Sequence, residues 1–209
     1  SNADYKEFVD AGGYEREEFW TESVVDGDRE LPFEEAMARF VDRTGRPGPS
    51  TWEISDFPDG ADDLPVGGVS WYEAMAYARF AGAHLPTIYH WFRASSAWRS
   101  AWILPLSNLS GDGPRPIGSA GAVSQYGHHD MAGNVREWVY NRARDERFIL
   151  GGGWQDSPYM FTVANSAPAL DRSESNGIRL AVFPGDTAYL AQARQPISPP
   201  SRDFYAERP

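Results

Sequence analysis

Asp130-Met131-Ala132-Gly133-Asn134-Val135-Arg136-Glu137-Trp138 is the stretch on which the fold turns. It sets two carboxylates, Asp130 and Glu137, on either side of a glycine that permits a sharp turn, so that intervening main-chain carbonyls are presented as hard oxygen donors. Such a donor set suits calcium better than any transition metal. The same carboxylates can instead accept backbone N–H groups, or pair with Arg136 or Arg142 in a metal-free loop. The residues alone leave both arrangements open.

Outward from this stretch, Ser107 to Gly127 is rich in Ser, Gly and Pro with little periodicity, which predicts a long loop of the kind that carries function. Downstream, Phe148-Ile149-Leu150 and the alternating Ile178-Arg179-Leu180-Ala181-Val182-Phe183 read as short strands. Upstream, Ser70-Trp71-Tyr72-Glu73 is a capping box, and the stripe Trp71, Ala74, Met75, Ala78 behind it predicts a helix ending at Gly82. Thr87 caps a further helix from Ile88 to about Trp98. Tyr5, Phe8 and Val9 mark a short amphipathic helix over Asp4 to Ala11, and another begins at Pro32 and runs toward Gly45. Ser1-Asn2-Ala3 is read as an expression scar and residues 4–186 as the domain. Residues 187–209, polar and proline-containing, are read as a linker or C-terminal extension toward additional domains in the full-length chain.

Composition narrows the functions available. The chain has 209 residues, 41% hydrophobic and 14% aromatic, enough for one good core, with eight tryptophans supplying packing where Gly and Pro interrupt regular structure. A net charge of -11 argues against nucleic acid and against membrane contact by this domain, since both partners select a Lys/Arg surface. The compartment stays open, an extracytoplasmic part of a membrane-anchored protein included. Zero cysteines removes disulfides, zinc-thiolate sites and any thiol nucleophile together.

Pro65-Val66-Gly67-Gly68-Val69-Ser70-Trp71, His84-Leu85-Pro86-Thr87 with Trp91, the Asp130–Trp138 stretch, Gly151-Gly152-Gly153-Trp154 and Asn176-Gly177-Ile178-Arg179-Leu180 occur in this order. In that order the chain resembles the formylglycine-generating-enzyme (sulfatase-modifying factor) superfamily. The resemblance implies an α+β fold, a variant of the C-type lectin fold with little regular secondary structure and a small antiparallel sheet. A cysteine-free subgroup linked to bacterial eukaryote-like Ser/Thr kinases looks most similar, through Asp10-Ala11-Gly12-Gly13-Tyr14, Tyr89-His90-Trp91 and Asp171-Arg172-Ser173.

What the resemblance implies about chemistry starts with copper, which the family's oxidases hold on two cysteines. The matching positions fall near Asp156 and Phe161, and neither a carboxylate nor a phenyl ring replaces a soft thiolate, so no copper and no formylglycine chemistry is expected. Arg136 is a second departure, standing where the oxidases usually carry an aromatic residue. Another relative joins this fold to a non-haem iron sulfoxide synthase, whose histidines come from a separate helical domain; the four here, His84, His90, His128 and His129, offer no clear ligand set. Calcium is implied at Asp130, the carbonyls of Gly133 and Val135, and Glu137, with a structural role. A second family calcium site would begin at Asn108-Leu109 but lacks an evident carboxylate downstream.

The family groove implies a ligand surface formed by Arg136, Trp154, Gln155, Asp156, Tyr159, Asp171 and Arg172. Core packing of Trp154 and an ion pair or loop brace at Asp171-Arg172 are the structural alternatives, and Arg179 is read as a buried structural arginine. No catalytic residue is assigned. The expected function is a non-catalytic recognition module for an unknown small molecule or peptide within a larger, kinase-linked sensor protein. The alternative is a cysteine-independent oxidoreductase of the same superfamily acting on a small molecule.

Overall fold

Ser1 caps the first helix, α1 (Asn2–Asp10), in a reciprocal box with Asp4. Asn2 is buried, donating to the Ala61 carbonyl at 2.8 Å and accepting from the Trp52 indole at 3.0 Å. The three residues set aside as a scar therefore take up structural places. The computed structural model describes residues 1–185 and 187–197. A two-residue ribbon, β1 (Val25–Asp26) with β2 (Arg29–Glu30), precedes α2 (Phe33–Met37). That helix stops well short of Gly45, because Asp42 collects the N–H groups of Thr44, Arg46 and Ser55 and folds the chain into turns.

The capping box places α3 (Trp71–Phe80) where periodicity puts it, with Ser70 accepting from Glu73 N and Glu73 Oε2 accepting from Ser70 N. Thr87 likewise caps α4 (Ile88–Ser95), which ends at a left-handed Ser96 and is followed by the single turn α5 (Ser100–Ile103). His90 Nδ1 lies 2.6 Å from the Thr87 hydroxyl at this cap. The sheet is built from β3 (Arg136–Ala143), β4 (Glu146–Leu150), β5 (Ser166–Ala167) and β6 (Asn176–Ile178), in the order β5-β4-β3-β6. Neighbours are antiparallel except β6, which joins β3 in parallel. Pairing of β6 stops at Ile178 rather than continuing to Phe183. Past Trp138 the Tyr140 N–H turns to the Pro86 carbonyl, and Ala181 makes only an isolated bridge to His84.

Successive residues of β3 face opposite sides of the sheet, as the strand period requires. Trp138 joins a core of Tyr5, Phe8, Trp52, Trp71 and Ile149, while Val139 joins a second core of Trp91, Phe148, Leu150 and Phe161. The buried indoles are also polar ties: Trp71 donates to the Val139 carbonyl and Trp138 to the Val69 carbonyl, each at 2.9 Å.

Of the two readings for the chain after residue 186, linker or C-terminal extension, residues 187–197 fit the second, packing on the domain. The helix α6 (Ala188–Ala193) buries Leu190, and the buried amide of Asn141 donates to the carbonyls of Ala193 and Gln195 at 2.8 and 3.0 Å. Ile197 N then reaches the Arg142 carbonyl at 3.0 Å. The remainder of the expected linker, 198–209, lies outside the described residues. Among the described residues no helix is long and apolar enough to cross a membrane.

Candidate functional site

Where β3 emerges from the Asp130–Trp138 stretch, the molecule opens a cleft of about 630 Å³. Asp4 and Tyr77 come from the N-terminal side, His128 to Asp130 from the loop before the sheet, Glu137 from β3, and Arg179 from just beyond β6. Val66, Ile178 and Leu180 add apolar wall. The volume and the mixture of apolar surface with a few polar groups suit a small ligand.

Glu137 is 3% exposed and fully occupied by protein donors. Trp91 Nε1 donates at 2.6 Å, and Arg179 Nε lies 2.9 and 2.8 Å from its two oxygens. Arg179 Nη2 also donates to the His129 carbonyl at 2.8 Å, fixing the loop that carries Asp130. Burial works against the Arg179 charge, but the Glu137 carboxylate outweighs it and raises the arginine's pKa above its ordinary value. Burial, helped by Asp4 and Glu7, pushes Tyr77 up to about 12, so this phenol stays protonated at neutral pH. Asp130, in a left-handed conformation, accepts from Gly118 N at 2.5 Å.

The calcium expectation is therefore altered at Glu137, which serves first as the anchor of Arg179 and Trp91 rather than as a free ligand. Asp130, Val135 and Glu137 nonetheless line the same cleft. Asp4, Asp130 and Glu137 line the cleft together with Arg179, and Glu137 and Asp130 both act on its charge. Gly133 is obligatory beside Asp130: its φ is +81°, and a Cβ there would sit 2.2 Å from the Asn108 carbonyl oxygen. Among the described residues no group of three His, Cys, Asp or Glu is gathered as a metal site, although His128, His129 and Asp130 adjoin in sequence.

The expected ligand surface near Gly151-Gly152-Gly153-Trp154 is not assembled as one pocket. Arg136 grips Asp156 with two bonds of 2.7 Å, so the two departures from the oxidase pattern are each other's partners. Burial alone would raise the Asp156 pKa, but Arg136 and the Gly153 N–H hold it below its usual value. Phe161, at the other lost thiol position, is wholly buried against Trp91. Trp154 lines a separate cleft of about 200 Å³ with Thr51, Trp52 and Glu174. Gln155 is tied to the Ser175 hydroxyl, and Tyr159 projects at 64% exposure.

Arg172 is corrected from ligand binder to internal brace: it bonds both oxygens of the fully buried Glu73 and the carbonyls of Val41 and Gly48. Asp171 braces its own loop, accepting from Ser173 and Asn176. Asp4, Tyr77 and the two loop histidines are the cleft residues that sequence reasoning missed. Asp4 and Tyr77 are far from Asp130 in the chain, with nothing local to mark them as its neighbours, whereas His128 and His129 adjoin it and are weighed in the sequence only as metal ligands.

Comparison with known proteins adds the following. The profile described as "Sulfatase-modifying factor enzyme 1-like domain" matches residues 1–183. A protein named "Hercynine oxygenase" from Mycolicibacterium smegmatis is 29% identical over 87% of this chain and 50% of its own length. Its namesake from Mycolicibacterium thermoresistibile is 32% identical over 69% of this chain and 34% of its own length. The chain thus spans half or less of these relatives. A crystal structure titled CarF aligns with a TM-score of 0.48 at 18% identity, covering 58% of this chain and 68% of that one. The relatives named for an oxygenase overturn the expectation of a non-catalytic recognition module.

Proposed function

Because the chain belongs to the sulfatase-modifying factor enzyme 1-like domain family, we propose that it is the substrate-holding part of a cysteine-independent oxidoreductase acting on a small molecule. The observation that carries this reading is its identity with relatives named as oxygenases across 69–87% of the chain. Copper-thiolate chemistry stays excluded by the absence of cysteine. A redox metal does not fit this chain's described residues, since no cluster of three suitable side chains gathers among them.

What this chain contributes is the cleft beside β3. Asp130 offers a carboxylate to a cationic group, and Tyr77, protonated at neutral pH, donates a hydrogen bond rather than acting as a base. Arg179 and Glu137, locked to each other, hold the walls in place so that a bound substrate is oriented rather than loosely retained. The relatives' name makes hercynine the first substrate to test.

Calorimetry with hercynine should show saturable binding, weakened about tenfold in Asp130→Asn, as the loss of one charge-assisted contact implies. Oxygen uptake by the full-length protein with hercynine should fall in the same variant. No heat of binding together with no oxygen uptake would sink the proposal. Calcium is the alternative occupant of Asp130 to a substrate cation, with the Gly133 and Val135 carbonyls beside it, since Glu137 is taken by Arg179 and Trp91. It would neutralise the loop and supply no redox chemistry.

A further inference from the structure

Behind α3 lies a second pocket, of about 240 Å³, whose electrostatics are opposite to those of the cleft. Arg79 from the last turn of α3, His84 from the crossover, Tyr140 from β3 and Arg194 from the C-terminal segment meet there over Ala78 and Leu85. No Asp or Glu is among its walls, in a chain whose net charge is -11. Among the described residues neither Arg79 nor Arg194 forms an ion pair with a carboxylate.

Arg194 is held with a donor to spare. Its guanidinium lies 4.7 Å over the Tyr140 ring, and Nη2 donates to His84 Nδ1 at 3.2 Å, which requires that nitrogen to be unprotonated. Its Nε is buried and has no hydrogen-bond partner among the described residues. A buried donor left unpaired is costly, and one on a cation costs more. Burial first, then the neighbouring charges of Arg194 and Arg79, push the His84 imidazole below its usual pKa.

We propose that this pocket is a receptor for a small oxyanion, a carboxylate or a phosphate, which bridges Arg194 and Arg79 beside His84. A guanidinium fork and a second cation are the donor set such groups select, and the apolar floor of Ala78 and Leu85 accepts a short organic substituent. The space admits an anion of a few heavy atoms. Arg194 lies beyond residue 183, where the family match ends, so the receptor is completed by the C-terminal extension and is separate from the cleft beside β3.

The test is an NMR titration of the histidine and arginine side chains of the whole chain with inorganic phosphate and with acetate, each against sodium chloride at matched ionic strength. His84 is assigned by His84→Gln. A saturable shift at His84 and at the Arg194 Nε–H, with the His84 pKa rising on binding, is expected for at least one oxyanion. Phosphate alone saturating identifies a phosphate receptor, acetate alone a carboxylate receptor, and both together a receptor for either. Arg79 is exposed, so Arg79→Ala should leave the fold intact while weakening binding about tenfold. Arg194→Gln is the second variant. A response no different from chloride, or affinity unchanged in both variants, overturns the proposal.

Discussion

Glu73 and Glu137 are buried at 0% and 3% exposure, and each is met by an arginine from the segment after residue 170. Arg172 answers Glu73, which also accepts from Tyr14 at 2.8 Å, and Tyr14 in turn contacts Tyr5 at 3.0 Å. Removing one partner of such a pair strands a buried charge. Arg172→Leu should therefore cost about 3–5 kcal/mol in urea unfolding, and adding Glu73→Gln should recover part of it. A loss under about 1 kcal/mol would show that the brace is not structural. The half-buried Arg136–Asp156 pair has a smaller stake, about 1–2 kcal/mol for Arg136→Leu at neutral pH. Because the Asp156 pKa is depressed in the fold, its stabilisation is present above the ordinary carboxylate pKa and lost as pH falls through the depressed value. Arg136→Leu should accordingly flatten the acid limb of the stability curve; an unchanged limb would refute the assignment.

The helices α1, α3 and α4 follow from side chains within one turn of their ends, which is why Ser70 with Glu73, and Thr87, are legible as caps. The strand β3 is not legible in the same way, since its first residues belong to a stretch that reads as a liganding loop and its alternation is hidden by burial on both faces. The glycine before it is a sharper test than any strand residue. Gly133→Ala places a methyl 2.2 Å from the Asn108 carbonyl at a φ of +81°, so a cost of at least about 3 kcal/mol is expected by thermal melting. Gly45 has nearly the same backbone, φ +83°, but nothing within 4 Å, so Gly45→Ala should cost only about 1 kcal/mol. Equal losses in the two variants would mean that backbone conformation, not the close approach, governs Gly133.

At the scale of the molecule, the chain is an α+β member of its family, closed by residues 187–197. Ending the chain at Gly185 exposes Leu190's site and leaves the buried Asn141 amide without both acceptors, a loss of about 2–5 kcal/mol with native circular dichroism retained. An unchanged melting temperature would return this segment to the status of a linker. If calcium is held at Asp130, melting should rise with it, by about 2.7 kcal/mol at a hundredfold excess over Kd, and equal melting with chelator would remove the ion. The sequence by itself determined the fold family, the absence of thiol chemistry, the capped helices and the glycine turn beside Asp130, because each depends on residue identity or on neighbours within a few positions. It left Asp130 and Glu137 open between a metal and protein donors without naming Arg179, and Arg172 open between a ligand surface and a brace without naming Glu73. The tertiary structure alone decided those partners, because Arg179 lies 42 residues from Glu137 and Arg172 lies 99 from Glu73, and over such separations only the folded path of the chain determines which buried charge finds which cation.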